Sequence, residues 1–331
     1  MQNNLTRYMN NKYILFWSRY DVNIDYDYNK WIKRKINISP FHLLTLASHV
    51  KFKNDTVLYS YQEFNKNQIP KGIVVKDANE IFPSKQAYLS LKNGHSIAHV
   101  SDAVRLKVAS ELNGVVIDMD AVIMRDLPQD NGWFASMPSK LTGGFAPKWG
   151  KAHPPLYIDD NSWDGKALFN FPLKVSKNIS KHIASLSHKI MRTLMEDPKT
   201  DSKAWNYVIW TVKKLIIHDK AAKVYQPLYF HPLPAWLGKG KCYSLESPTR
   251  LDGKTELFGH TLPNITDILK KSYIVHHFFE SAFNKSSGVE SDFWENIKQD
   301  CLLAKEAEHI LGNNWRSILC DKSYEMYMYE S

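Results

Sequence analysis

The sequence predicts an α/β fold, on three observations. Short apolar runs alternate with segments of helical period through the first hundred residues, the pattern of strands and helices laid down in turn. The run Val115-Val116-Ile117 is apolar without alternation, which suits a strand covered on both faces. With 331 residues, 44% of them hydrophobic, the chain can bury a sizeable core.

The elements follow in order. Tyr13-Ile14-Leu15-Phe16-Trp17 reads as a first buried strand. Ser39-Pro40 supplies an N-cap with proline at the first helical position, and Leu43, Leu44, Leu46, Ala47 and Val50 then recur at helical spacing. Thr56 to Tyr61 and Gly72 to Val75 read as further strands. From Val100 to Leu112 the pattern is helical, with Val104, Val108 and Leu112 on one stripe, and Asn113-Gly114 marks its end. The strand Val115–Ile117 follows at once and ends in Asp118-Met119-Asp120. Residues 132–170, rich in Gly, Pro and Trp, read as strands with long functional loops, and helical patterns recur near 180–196, 202–216 and 291–320. No linker or repeat interrupts the chain, so residues 1–331 are expected to form a single catalytic domain.

Composition narrows the function. Lys plus Arg outnumber Asp plus Glu by 43 to 34, and the net charge of +9 favours anionic partners: phosphates, anionic lipid surfaces or nucleic acid. The densest basic cluster, Lys30 to Lys35, is interleaved with Trp31, Ile32 and Ile36; the mixture suits a membrane surface, with a solvated helix face the favoured alternative. No stretch approaches the roughly 18 uninterrupted apolar residues of a membrane span. The first ten residues are polar, unlike a secretory leader, so a cytoplasmic location is expected, with peripheral attachment to the inner face of the membrane as an option. Cys242, Cys301 and Cys320, an odd number without CxxC spacing, point to a reducing compartment and no structural zinc.

The acid pair carries the chemistry. Side chains alternate along a strand, so Asp118 and Asp120 should share one side while Met119 points away. Two carboxylates at a strand terminus form a hard-oxygen site suited to magnesium or manganese, and ligands of open α/β sheets gather at those carboxyl ends. An ion there could bridge the phosphates of a nucleotide sugar and neutralise a leaving diphosphate. Taken alone the triplet is common, and a turn or exposed loop is the ordinary alternative. Asp102 and Arg105 lie three apart on the preceding helix and share a face; they form either a surface ion pair or a face bordering the site.

Ser101-Asp102-Ala103-Val104-Arg105 followed by Asn113 to Asp120 resembles the S-D-x-x-R … G-G-x-Y-x-D-x-D segment of glycosyltransferases with the sugar-binding region containing a DXD motif. The upstream order is similar to the bacterial branch of that family: Phe16-Trp17, then Leu58-Tyr59-Ser60-Tyr61, then Val75 to Pro83. The resemblance implies the GT-A nucleotide-diphospho-sugar transferase fold, a Rossmann-like central mixed sheet flanked by helices. Residues 12–130 would be the nucleotide-sugar-binding core, and 131–331 the acceptor side with a helical C-terminal part. It further implies that Phe16 and Trp17 flank the nucleotide base, with Trp17 stacking on it. Asp102 and Arg105 would hold the donor sugar, Asp118 would contact sugar or ribose hydroxyls, and Asp120 would be the chief metal ligand. Ser272 to His277 resembles a late element of the family whose first histidine, here His276, helps to bind the metal or diphosphate; a core histidine is the alternative. Phe278 and Ala282-Phe283 stand where versions of that element carry Trp.

The expected function is therefore a retaining hexosyltransferase using Mn2+ or Mg2+ and a UDP-sugar donor. Its acceptor would be a glycan or lipid-linked glycan of a bacterial surface polysaccharide; nucleic acid is not expected as a partner. A non-catalytic nucleotide-sugar-binding relative and a protein-glycosylating effector stay open. Gly238-Lys239-Gly240-Lys241 lacks phosphate-loop spacing and reads as a flexible basic loop. Trp149, Tyr157, Trp163 and Trp236 fit core packing ahead of acceptor stacking, and an N-cap explains Asp201.

Overall fold

The computed structural model describes residues 11–65, 68–137, 167–196, 219, 222–225, 227–230, 232, 256–257, 260–261, 265–277, 299 and 301–320. The expected helix near 202–216, and Trp149, Tyr157, Trp163, Asp201, Trp236 and the Gly238–Lys241 loop, lie outside these residues.

The first half follows the expected alternation. β1 (Lys12–Phe16) leads through α1 (Tyr28–Lys33) and α2 (Pro40–Lys51) to β2 (Asp55–Ser60) and β3 (Ile73–Asp77). α3 (Ser84–Lys92) and α4 (Ile97–Leu112) return the chain to β4 (Val115–Val116), and a turn leads into β5 (Ala121–Ile123). β6 (Trp133–Met137), β7 (Ala167–Lys174), α5 (Ser180–Glu196), β8 (Lys223–Tyr225) and α6 (Pro227–Phe230) follow. Beyond them lie β9 (Glu256–Leu257), β10 (His260–Thr261), α7 (Ile265–Lys271), β11 (Ile274–His276), α8 (Leu302–Leu311) and α9 (Trp315–Cys320).

Among the described residues, seven strands form the main sheet in the order β3-β2-β1-β4-β7-β6-β8. The segment β3-β2-β1-β4 is parallel throughout, whereas β7 is antiparallel to both β4 and β6. The result is a mixed α/β sheet, dominated by parallel pairs and flanked by helices. Alternation along the strands sorts the core into two layers. Tyr13, Leu15 and Leu58 pack with Phe41, Leu44, Leu303 and Trp315 of α2, α8 and α9. Ile14, Phe16, Val57 and Tyr59 pack with Val100, Val104, Ile183 and Ile190 of α4 and α5.

The local reasons are those of the sequence. Ser39 accepts the His42 N–H at the start of α2, with Pro40 at the first helical position. α4 ends at Asn113, which itself takes the left-handed conformation (φ 48°), while Gly114 serves a different purpose. A Cβ on Gly114 would stand 2.5 Å from Ile14 Cδ1 and 2.9 Å from the Lys12 carbonyl, so the glycine lets β4 close onto β1. Of the basic cluster, Lys30 and Lys33 are exposed on α1, whose Trp31 is wholly buried, and Arg34 and Lys35 lie just beyond it. The pattern expected over 291–320 resolves, in its described part, into α8 and α9 around Gly312.

Candidate metal centre

β1 and β4 are adjacent parallel strands, but the chain leaves β1 toward β2 on one side and reaches β4 only after β3, α3 and α4. Such a reversal of strand order opens a crevice at the carboxyl ends, where ligands of open α/β sheets bind. Trp17 follows β1 at this edge, and Asp118 to Asp120 follow β4.

The acid pair sits in a turn rather than on an extended strand. The last sheet bond of this segment runs from the Ile117 N–H to the Ile14 carbonyl (3.3 Å), after which the chain turns at Met119-Asp120. The two carboxylates still converge, because β5 pairs antiparallel with β11 in a register that sets His276 opposite Ala121. The His277 N–H donates to the Asp120 carbonyl at 2.9 Å and closes that ladder, while Met119 turns into the core. β5 is tied in turn to α2, since the buried Ser48 hydroxyl donates to the Thr45 carbonyl and accepts the Ile123 N–H.

His276 Nε2 lies 2.9 Å from Asp120 Oδ1 and 3.6 Å from Asp118 Oδ2. One ligand atom from each of Asp118, Asp120 and His276 lies within 4.8 Å of the others, a set able to hold a divalent ion. The imidazole is buried and the carboxylates are partly exposed, so the open side of the set is the acidic one. Burial pushes the His276 pKa down, but Asp120 and then Asp118 outweigh it, and the net shift is upward.

Asp102 and Arg105 are not a surface pair: they are 3% and 4% exposed. Arg105 reaches from α4 beneath the turn. Its Nη1 donates to the Ile117 carbonyl (2.8 Å) and to Asp118 Oδ1 (2.6 Å), and its Nη2 donates to Asp102 Oδ1 (2.9 Å). A planar fork of this kind fixes the carboxylate it holds. Burial pushes Asp102 up to about 7 despite the pull of Arg105, and its buried Oδ2 has no hydrogen-bond partner among the described residues.

Phe16 and Trp17 part company. Phe16 is a core residue, its ring edge-on to Tyr61 at 5.9 Å. Trp17 is half-buried on the other side of the sheet, with its ring 3.9 Å from that of His42. His42 shares a hydrogen bond with the Ser39 hydroxyl (2.6 Å), and burial lowers its pKa to about 4 against the field of Asp120. Behind His276, His277 Nε2 meets Glu306 Oε2 of α8 at 2.7 Å, both side chains buried, and Phe41 stands edge-on to His277 at 5.2 Å. Burial raises the Glu306 pKa in spite of His277.

His42 and Glu306 were not singled out by the sequence. The Ser39 cap sets His42 in the first turn of α2, but no local signal ties it to Asp120. Glu306 reads as an ordinary polar position of a helix until β11 is in place.

No family model matches the chain, and no curated protein matches it. Among solved structures the chain is similar to one titled "PaToxG Glycosyltransferase", with 14% identity and a TM-score of 0.34 over 63% of this chain and 70% of that one.

Proposed function

We propose that the chain is a retaining, divalent-metal-dependent glycosyltransferase that moves a hexose from a UDP-sugar to a glycan acceptor of a bacterial surface polysaccharide. The observation that carries this reading is the convergence of Asp118, Asp120 and His276 at the crevice where strand order reverses. Two carboxylates suit magnesium and manganese, and the added imidazole favours manganese over magnesium, which takes oxygen ligands. An ion held there would neutralise charge on a leaving diphosphate.

The chain's own residues supply the rest. Arg105 holds Asp118 in one orientation through its fork. Among the described residues, Asp102 keeps one buried oxygen without a partner, which suits a donor-sugar hydroxyl. The exposed face of Trp17, braced from behind by His42, suits a stacked base, whereas Phe16 supports the platform from within the core. Residues 12–130 form the donor half in this reading, and 131–331 the acceptor side. The setting is cytoplasmic.

The test is turnover. The chain is incubated with UDP-hexoses and glycan acceptors, with manganese or with chelator, and nucleotide release and product anomer are followed by NMR. Metal-dependent release of UDP with retention at the anomeric carbon is expected. Failure to release UDP from any of the donors would count against the reading.

A further inference from the structure

Past Trp17, the turn at residues 21–27 that leads into α1 has no part in the metal centre, yet it is closely bonded. Asp25 is wholly buried, and its Oδ2 accepts from the Asp21 N–H and from Arg34 Nη2, both at 2.7 Å. The Ile24 and Asp25 N–H groups close onto the Asp21 carbonyl at 3.1 and 2.7 Å. Tyr88 of α3 donates to the Asp25 carbonyl (3.1 Å), and Trp31 of α1 donates to the Arg19 carbonyl (2.8 Å). The turn is thus pinned to α1 and α3.

That tip is apolar. Val22, Ile24 and Tyr26 are 69%, 52% and 58% exposed. Single exposed apolar side chains are ordinary, but three within five residues on a fixed turn form a patch. Lys30 Nζ lies 4.1 Å from the centre of the Tyr26 ring, and Lys33 and Lys35 follow it closely in the chain, all three lysines exposed. Of the nearby acids, buried Asp25 is paired with Arg34, whereas exposed Asp27 accepts the Asn29 and Lys30 N–H groups and exposed Asp21 the Asn23 N–H, so the three lysines outnumber the two exposed carboxylates. Lys35 has a loose partner in Glu63 at 3.9 Å.

We propose that residues 22–26 and the lysines beside them form a docking surface for an anionic lipid bilayer. Val22, Ile24 and Tyr26 enter the headgroup boundary, and Lys30, Lys33 and Lys35 meet lipid phosphates. The lysine side of α1 alone is an ordinary solvated face; the apolar tip beside it points to lipid. A stable protein partner needs about 800 Å² from each side, more than a short convex turn offers, whereas a bilayer interface accepts a small apolar tip collared by cations. The net charge of +9 acts in the same direction. The turn leaves the carboxyl end of β1, as the Asp118–Asp120 turn leaves that of β4, so docking brings this edge of the sheet toward the membrane.

The proposal does not depend on the glycosyltransferase reading, and its test uses no nucleotide. The full chain is sedimented with vesicles of phosphatidylcholine, pure or mixed with phosphatidylglycerol, across a salt series. Binding to the anionic vesicles, weakening with salt, is expected. Lys30→Glu and Lys33→Glu should each lower it about five-fold or more, and Val22→Asp with Ile24→Asp should abolish it while thermal melts stay unchanged. Val22→Trp, which leaves the pinned backbone alone, should tighten it. Absence of binding to anionic vesicles, or a Val22→Asp/Ile24→Asp variant that binds like wild type, would overturn the proposal.

Discussion

Three hydrogen bonds from one guanidinium, to Ile117, Asp118 and Asp102, fix the first carboxylate of the metal set. Removing a buried partner leaves an uncompensated charge, so Arg105→Ala should lower stability by about 3–5 kcal/mol in urea titrations. A loss under about 1 kcal/mol would mean that the pair is solvated as a surface pair is. Arg105→Lys keeps the charge but not the fork, and should weaken manganese binding more than it weakens the fold. His49 bears a second consequence. Its Nδ1 meets the Thr56 hydroxyl at 2.9 Å, and since that hydroxyl donates to the Asn54 carbonyl, Nδ1 carries a proton, while the buried Nε2 has no hydrogen-bond partner among the described residues. Burial lowers its pKa from 6.5 to about 3, so as pH falls the unfolded chain takes up the proton first. His49 therefore stabilises the fold fully above pH 6.5 and loses that contribution progressively toward pH 3. The slope is about 1.4 kcal/mol per pH unit. His49→Gln should flatten the stability–pH curve by that amount between these limits; an unchanged slope would show that the ring is charged in the folded state.

The seam between β1 and β4 depends on Gly114, because any Cβ there meets Ile14 and the Lys12 carbonyl. Gly114→Ala should cost about 1–3 kcal/mol by overpacking, measured by denaturant midpoint, and a neutral effect would mean that β4 can shift away from β1 freely. The sequence identified this junction through its Asn-Gly signal, though the left-handed residue is Asn113 and the glycine answers a packing demand. Helices α2, α4 and α5 were legible, since Ser39-Pro40 and the apolar spacing are local signals. The pairing of β5 with β11 was not. It sets His276 beside Asp120 across 156 residues, and neither three-residue strand has a period of its own. The acid pair was read from strand alternation, whereas a turn and this distant strand bring it together. Resemblance, rather than spacing, pointed to His276.

The parallel half of the sheet was legible because its four strands come from consecutive segments with short-range signals. The crevice at the switch point follows from that order, and the two cores hold its walls, α2 and α8 on one side and α4 with α5 on the other. Trp17 and the Asp118–Asp120 turn stand at this crevice because β1 and β4 are neighbours, not because they are near in sequence. The acceptor side was less legible, since antiparallel β6 and β7 are separated by a long Gly/Pro/Trp-rich stretch with no regular period. A divalent ion that binds only the folded chain should raise its stability by about 2.7 kcal/mol at a hundred times its Kd, and Asp120→Ala should remove that gain. Calorimetric titration of UDP into wild type and Asp120→Ala, with and without manganese, addresses the central claim most directly. Binding to wild type only when manganese is present, and no binding to Asp120→Ala, is the expected result. UDP binding that ignores both the metal and the substitution, or no binding under any condition, would contradict it.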